Sequence, residues 1–126
     1  MISPDQLQHF DLQNGDLSVG VLNYGARTTY LRYQGIDLAL FYPNIGDYLT
    51  GIPYVGAIVG RIANRIGGAA FNLQGKSYAL TPNERKNQLH GGPNGLSQQL
   101  WTLEKTGAGC RFTYHSEDQE EGYSGA

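Results

Sequence analysis

GAIVGRIANRIGGAAFNLQGKSYALTPNERKNQLHGG, residues 56–92, sets arginines, asparagines and one histidine between short strand-like runs and turn-forming glycines. Residues 55–59 form an apolar run of buried-strand type that delivers the chain to Arg61. Arg61 and Arg65 stand four residues apart, which returns side chains to one side of a strand or a helical turn. Two guanidiniums are therefore expected to face one pocket. Phe71 and Leu73, then Tyr78 and Leu80, alternate about Gln74-Gly75 and predict a hairpin with one apolar face. Residues 81–88 read as a polar loop with Pro82, Asn83 and Asn87, leading to His90. Gly91 and Gly92 follow it, and glycines allow φ > 0 and close backbone approach. That is a setting in which a chain presents an imidazole to a small ligand.

Upstream, residues 8–12 and 17–23 alternate apolar and polar side chains around Asn14-Gly15, a strong hairpin signal. Tyr24-Gly25-Ala26 breaks the pattern. Residues 27–33 then predict a third strand, Gln34-Gly35 a turn, and residues 36–41 a fourth strand. From 42 to 54 the density of Pro43, Asn44, Gly46, Gly51 and Pro53 predicts a long loop with a helical turn near residues 47–49. Its tyrosines either line a groove or pack the loop onto the scaffold, and packing is the favoured expectation. Downstream, residues 101–104 and 110–115 predict two more strands joined by Thr106-Gly107-Ala108-Gly109, and residues 117–121 an acidic loop.

Glycine accounts for 18 of 126 residues, about twice the usual share of roughly 7%, and charged residues for only 16%. With nine tyrosines, this favours a turn-rich antiparallel β protein, expected as a single domain over residues 1–126. A net charge of −2 and a pI near 5.8 offer no attraction to nucleic acid or anionic lipid. No apolar run approaches the roughly 18 residues of a membrane span. Cys110 stands alone, which forbids an internal disulfide and suits a reducing compartment. Because the first residues lack a basic and apolar leader pattern, a cytoplasmic location is expected. No second histidine or carboxylate lies at a ligand spacing from His90, and Gly67-Gly68 and Gly91-Gly92 lack the ending of a phosphate loop. No metal and no cofactor are expected.

Gly60-Arg61-Ile62-Ala63-Asn64-Arg65-Ile66, the 71–80 hairpin with its Gly75-Lys76 turn, and Leu89-His90-Gly91-Gly92 occur in order and at suitable spacing. Asn14-Gly15, Tyr24-Gly25-Ala26, Tyr48, Gly95, Trp101 and Glu120-Glu121-Gly122-Tyr123 extend the pattern. Together they resemble the N-terminal part of the aldose 1-epimerase (galactose mutarotase) family, whose complete members run to well over twice this length. The resemblance implies an all-β fold, part of a large antiparallel sandwich of galactose mutarotase-like type. It also implies an isomerase that interconverts the α and β anomers of a hexose such as galactose or glucose.

Such a reaction removes a proton from the anomeric hydroxyl while another protonates the ring oxygen, so it needs groups that titrate near neutrality and donors that grip hydroxyls. The resemblance implies His90 as a catalytic residue, with Asn64, Arg65 and His90 binding the sugar on one concave surface. For Arg61 the expectation is structural, either anchoring a loop or pairing with Asp47 or Glu84. Trp101 and Cys110 are expected in the core, and His9 and His115 at the surface or in strands. The family's second histidine and its glutamate base have no counterpart here, and Glu120 and Glu121 match a non-catalytic part of the pattern. Three readings stay open: an epimerase impaired at this length, a non-catalytic carbohydrate-binding module, and an unstable β fragment that self-associates through uncovered sheet surface.

Overall fold

The computed structural model describes residues 2–51, 53–107 and 109–125. Among these, ten strands form: β1 His9–Asn14, β2 Leu17–Leu22, β3 Arg27–Tyr33, β4 Ile36–Asp37, β5 Arg65–Ile66, β6 Ala70–Leu73, β7 Lys76–Ala79, β8 Gln88–Leu89, β9 Thr102–Thr106 and β10 Gly109–Thr113. Every strand pairing is antiparallel, and the remaining regular structure is short 3₁₀ turns. No helix among the described residues is long and apolar enough to cross a membrane. The chain forms two compact units, one of Met1–Ile58 with Leu100–Tyr114 and one of Val59–Gln99 with His115–Ala126.

The first unit is a four-stranded sheet in the order β1-β2-β3-β4, accompanied by the β9-β10 hairpin. β3 covers the residues expected from the sequence. The first hairpin turns one residue later than its dipeptide suggests: Asn14 still pairs with Leu17, and Gly15-Asp16 forms the loop. Two other turns share one solution. Gln34-Gly35 and Gln74-Gly75 each place both residues at positive φ, +50° and +80° in the first, +50° and +77° in the second. A two-residue loop with both central residues left-handed matches the twist of its flanking strands, and a glycine takes the second position without a steric penalty.

Two expected strands are corrected. β4 stops at Asp37 rather than reaching Phe41, and Leu38 and Leu40 leave the sheet into solvent, Leu40 at 88% exposure. Residues 55–59 are irregular rather than a strand. Gly56 at φ +66° breaks the run within a turn closed by Ala57 N–H donating to Tyr54 O, and the segment is tied to the scaffold by Thr28 N–H to Gly56 O and Ile58 N–H to Gly25 O.

The core of this unit gathers Leu22, Tyr24 and Tyr48, with Leu22 wholly buried. Tyr48 rises from a 3₁₀ turn, Ile45–Leu49, inside the long loop. Its hydroxyl donates to Thr29 O (3.0 Å) and accepts from Tyr42 N–H (3.1 Å), and its ring meets Tyr42 edge-on at 5.1 Å. Through Tyr48 the loop is packed onto the scaffold.

Arg27, at 1% exposure, is the unexpected core residue. Its Nε donates to Tyr24 O and one terminal nitrogen to Val55 O, both at 3.0 Å, while the guanidinium lies over the Tyr24 and Tyr48 rings. Burial holds its pKa below the usual arginine range. Trp101 and Cys110 are half-buried rather than enclosed, Trp101 against Tyr114 at 5.4 Å and Cys110 within β10.

In the second unit β5 pairs with β8 and β6 with β7. Phe71 and Tyr78 stack at 5.0 Å across the β6-β7 hairpin, giving it the expected apolar face, and Ala69, Leu80 and Tyr123 make a small core beside it. Gln88, fully buried in β8, donates to Thr81 O (3.1 Å) and accepts from the Tyr123 hydroxyl.

Leu22→Ala removes a side chain with no exposed surface and is expected to cost about 2–5 kcal/mol. Tyr48→Phe deletes the hydroxyl that tethers the loop and should cost about 1 kcal/mol. Urea denaturation checks both, and a Leu22 variant as stable as the parent would show that this cluster is not the core.

Candidate functional site

β5 and β8 pair through two residues each, Arg65 opposite Leu89 and Ile66 opposite Gln88. The residues just outside that short ladder are Asn64 and His90, and the antiparallel register brings them side by side. His90 N–H donates to Asn64 O at 3.0 Å, and Asn64 N–H donates to His90 Nδ1 at 3.0 Å. Both residues are left-handed, Asn64 at φ +65° and His90 at φ +52°. Asparagine and histidine both visit this conformation more often than most non-glycine residues, and here their surroundings support it.

That support is built from neighbouring backbone and amides. Gly91 and Gly92 continue the turn at φ +90° and +99°, and a Cβ on Gly91 would run into the Gly60 carbonyl. Asn83 grips β8 like an added strand, its Oδ1 accepting from Leu89 N–H (2.7 Å) and its Nδ2 donating to Leu89 O (2.9 Å). Asn87 Oδ1 accepts from Gly68 N–H at 3.1 Å, tying the loop to the start of the β6-β7 hairpin. Because His90 Nδ1 accepts an amide proton, the neutral imidazole carries its own proton on Nε2.

Arg65 reaches from β5 to Glu84. Its Nε donates to Oε2 at 2.7 Å and a terminal nitrogen to Oε1 at 2.6 Å, a bidentate fork, while the other terminal nitrogen donates to Asn64 Oδ1 at 3.3 Å. The hydrogen bonds from Arg65 hold the Glu84 carboxyl below the usual range, and those same bonds raise Arg65. The pair is open to water, with side-chain exposures of 56% and 31%. Asn64, Arg65 and His90 are thus brought together, and what they offer jointly is a set of hydrogen-bond donors and acceptors suited to hydroxyl groups.

Arg61 is not part of this group, which corrects the expectation of two guanidiniums on one pocket. Residues 61–64 are neither strand nor helix, so the four-residue spacing does not align the side chains. Arg61 instead anchors the last segment of the chain: Nε donates to Ser116 Oγ (2.9 Å), and its terminal nitrogens to the carbonyls of Ser116, Glu117, Ser124 and Gly125 at 2.5–3.3 Å. Of its two expected structural roles it takes loop anchoring, and Glu84 belongs to Arg65. No local signal marks that pair, since 19 residues separate the partners. His9 lies in β1, bonded to Thr29 Oγ1 at 2.9 Å, and His115 is exposed. Among the described residues no three His, Cys, Asp or Glu side chains cluster as metal ligands.

The family model for aldose 1-epimerase matches residues 8–126. Galactose mutarotase of Sus scrofa is 39% identical over 124 residues, covering 94% of this chain and 36% of the relative. The aldose 1-epimerase of Haemophilus influenzae is 34% identical over 128 residues, covering 98% of this chain and 37% of the relative. The chain therefore spans little more than a third of the length of the curated relatives it matches. Among solved structures, an aldose epimerase homologue from C. elegans superposes with a TM-score of 0.84 at 30% identity, over 92% of this chain and 38% of that one. The galactose 1-epimerase of Lactobacillus acidophilus, at 22% identity and a TM-score of 0.81 over 94% of this chain and 41% of that one, shares the fold. The match takes in both arms of the β5-β8 ladder and the all-β framework that carries it, and by that measure this chain belongs to the aldose 1-epimerase family.

Proposed function

We propose that Asn64, Arg65 and His90 bind a hexose, and that the chain carries part of a mutarotase site interconverting the α and β anomers of a sugar such as galactose or glucose. The observation that carries this reading is the reciprocal bonding of His90 and Asn64. It fixes an imidazole with Nδ1 occupied and a proton on Nε2, beside an arginine held by a carboxylate. The relatives named as galactose mutarotases support the substrate class.

In this reading the Nε2–H of His90 donates to the ring oxygen near the anomeric end, while Arg65 and Asn64 hold hydroxyls. Ring opening then requires an acid at the ring oxygen and a base at the anomeric hydroxyl, and closure on the other face returns both protons. The reaction is redox-neutral, so these two proton transfers need no nucleotide or metal. By resemblance the family's second histidine and glutamate base lie outside these 126 residues. A positioned acid or base typically contributes about 10²- to 10⁴-fold, so the chain by itself should turn over little.

Polarimetry on freshly dissolved α-D-glucose is expected to give a rate near that of buffer. A rate well above buffer that His90→Ala abolishes would show that a complete acid–base pair lies within this sequence. Sugar contact is read separately, by titrating the ¹⁵N-labelled chain with methyl β-galactoside. Weak perturbations are expected at His90, Asn64 and Arg65 and should vanish in Arg65→Met; perturbations confined elsewhere would refute the assignment.

The Arg65–Glu84 fork sets the acid limit of the site. Glu84 has its pKa depressed by folding, so the pair contributes fully above the ordinary glutamate value of about 4.3 and is lost as pH falls through the lower folded value. Arg65→Met should move the Glu84 titration midpoint, read from its carboxyl ¹³C resonance, upward into the ordinary range. An unmoved midpoint would mean the fork does not persist in solution.

Exposed Ile36 in β4, with Leu38 and Leu40 just beyond it, supports the expectation of self-association. Light scattering should show the apparent mass rising with concentration, less so in Leu40→Lys. A concentration-independent monomer would overturn it.

A further inference from the structure

The segment after β10 turns one carboxylate back onto the turn that carries His90. Glu121 sits in a left-handed conformation at φ +52°, which a non-glycine residue keeps only where its surroundings determine it. Those surroundings are explicit. Its backbone carbonyl accepts from Thr81 N–H (3.1 Å) and from Nε2 of Gln88 in β8 (3.4 Å). Its Oε1 accepts from Asn94 N–H at 3.2 Å. Its Oε2 is buried without a hydrogen-bond partner and occupies the space that a Cβ on Gly92 would take.

The carboxylate therefore bears on Gly92 and Asn94, two and four residues beyond His90. From elsewhere in the same unit Gly60 holds the turn, its carbonyl accepting from Leu96 N–H (3.2 Å) and excluding a Cβ on Gly91. Arg61, next to Gly60, grips carbonyls on both sides of Glu121, at Ser116 and Glu117 before it and at Ser124 and Gly125 after it. A buried carboxylate oxygen without a donor is costly and is ordinarily avoided. Here it coincides with the place where the backbone next to His90 needs a stop.

We propose that Glu121 is a positioning residue for His90. Its carboxylate braces the 89–94 turn so that the imidazole keeps Nδ1 on the Asn64 amide and holds its proton on Nε2. The purpose of this bracing rests on the sugar-site reading above, but the bracing itself does not.

The test reads the imidazole directly, by long-range ¹H–¹⁵N correlation of the His90 ring together with amide exchange at Asn64 and Asn94 in the 126-residue chain. In Glu121→Ala the Nδ1 resonance should move away from its hydrogen-bonded position, and both amides should exchange about tenfold faster, as loss of one ordinary hydrogen bond implies. Glu121→Gln keeps the acceptor and the shape, and should restore the parent values. The proposal is overturned by an unmoved Nδ1 resonance in Glu121→Ala, or by Glu121→Gln behaving like alanine while the Tyr123 and Phe71 signals remain native. Should the alanine variant lose those signals, Glu121→Asp serves instead: it retains charge, falls a methylene short of Asn94, and must shift the ring if bracing is the role. Methyl β-galactoside added to the parent chain separates the two ideas, because no perturbation at His90 overturns the sugar reading and leaves the ring result standing.

Discussion

The exchange of hydrogen bonds between Asn64 and His90 is the constraint on which the second unit turns. A ladder of two residue pairs is too short to define its own ends, and the chain enters β5 and leaves β8 through a left-handed residue. What makes the arrangement definite is that the backbone carbonyl and amide of Asn64 are both used, one by the His90 amide and one by its ring. A side chain bonded to backbone at a strand end has few rotamers left. The ring's tautomer and direction therefore follow from the fold and need no ligand to set them.

Charge is divided along the chain according to burial. Arg27 is enclosed, meets backbone carbonyls and tyrosine rings, and serves the first core. Arg61 is a staple, spending its guanidinium on backbone oxygens that a lysine could not reach in this fork-like pattern. Arg65 is the exposed one, and exposed ion pairs add little to stability. Its fork with Glu84 matters as orientation: two short bonds hold a long side chain beside Asn64 that would otherwise sample many rotamers.

How far the sequence could be read depended on how local each cause was. The Gln-Gly turns and β3 were legible because a turn dipeptide and a period of two act within a few residues. Asn64, Arg65 and His90 were legible as a motif, and the β5-β8 ladder is what makes neighbours of residues 26 apart in the chain. Arg61 was legible only as structural, because its partners lie 55 to 64 residues away and are mostly backbone oxygens, which any residue supplies. Glu84 and Glu121 bond across 19 and 27 residues, so their partners were not legible: Glu84 was a candidate partner of Arg61, and Glu121 stood within the 120–123 pattern with nothing to mark its contact to Asn94. Residues 55–59 misled because an apolar run looks the same whether it enters a sheet or lines a turn, and Gly56 decided between the two.

The early end of β4 bears on how copies of this protein would meet, were they to associate. An edge strand of six residues would present alternating amides and carbonyls as a template, and growth from such a template is cooperative and hard to reverse. Here pairing at that edge ends after Ile36 and Asp37, and one of the next amides, that of Leu38, is already committed to Leu31 O. The leucines that follow offer apolar side chains and little free strand edge. Any contact made there would rest on side chains and dissolve on dilution, and at this edge the two-residue strand leaves oily surface in water while offering little backbone from which a fibre would grow.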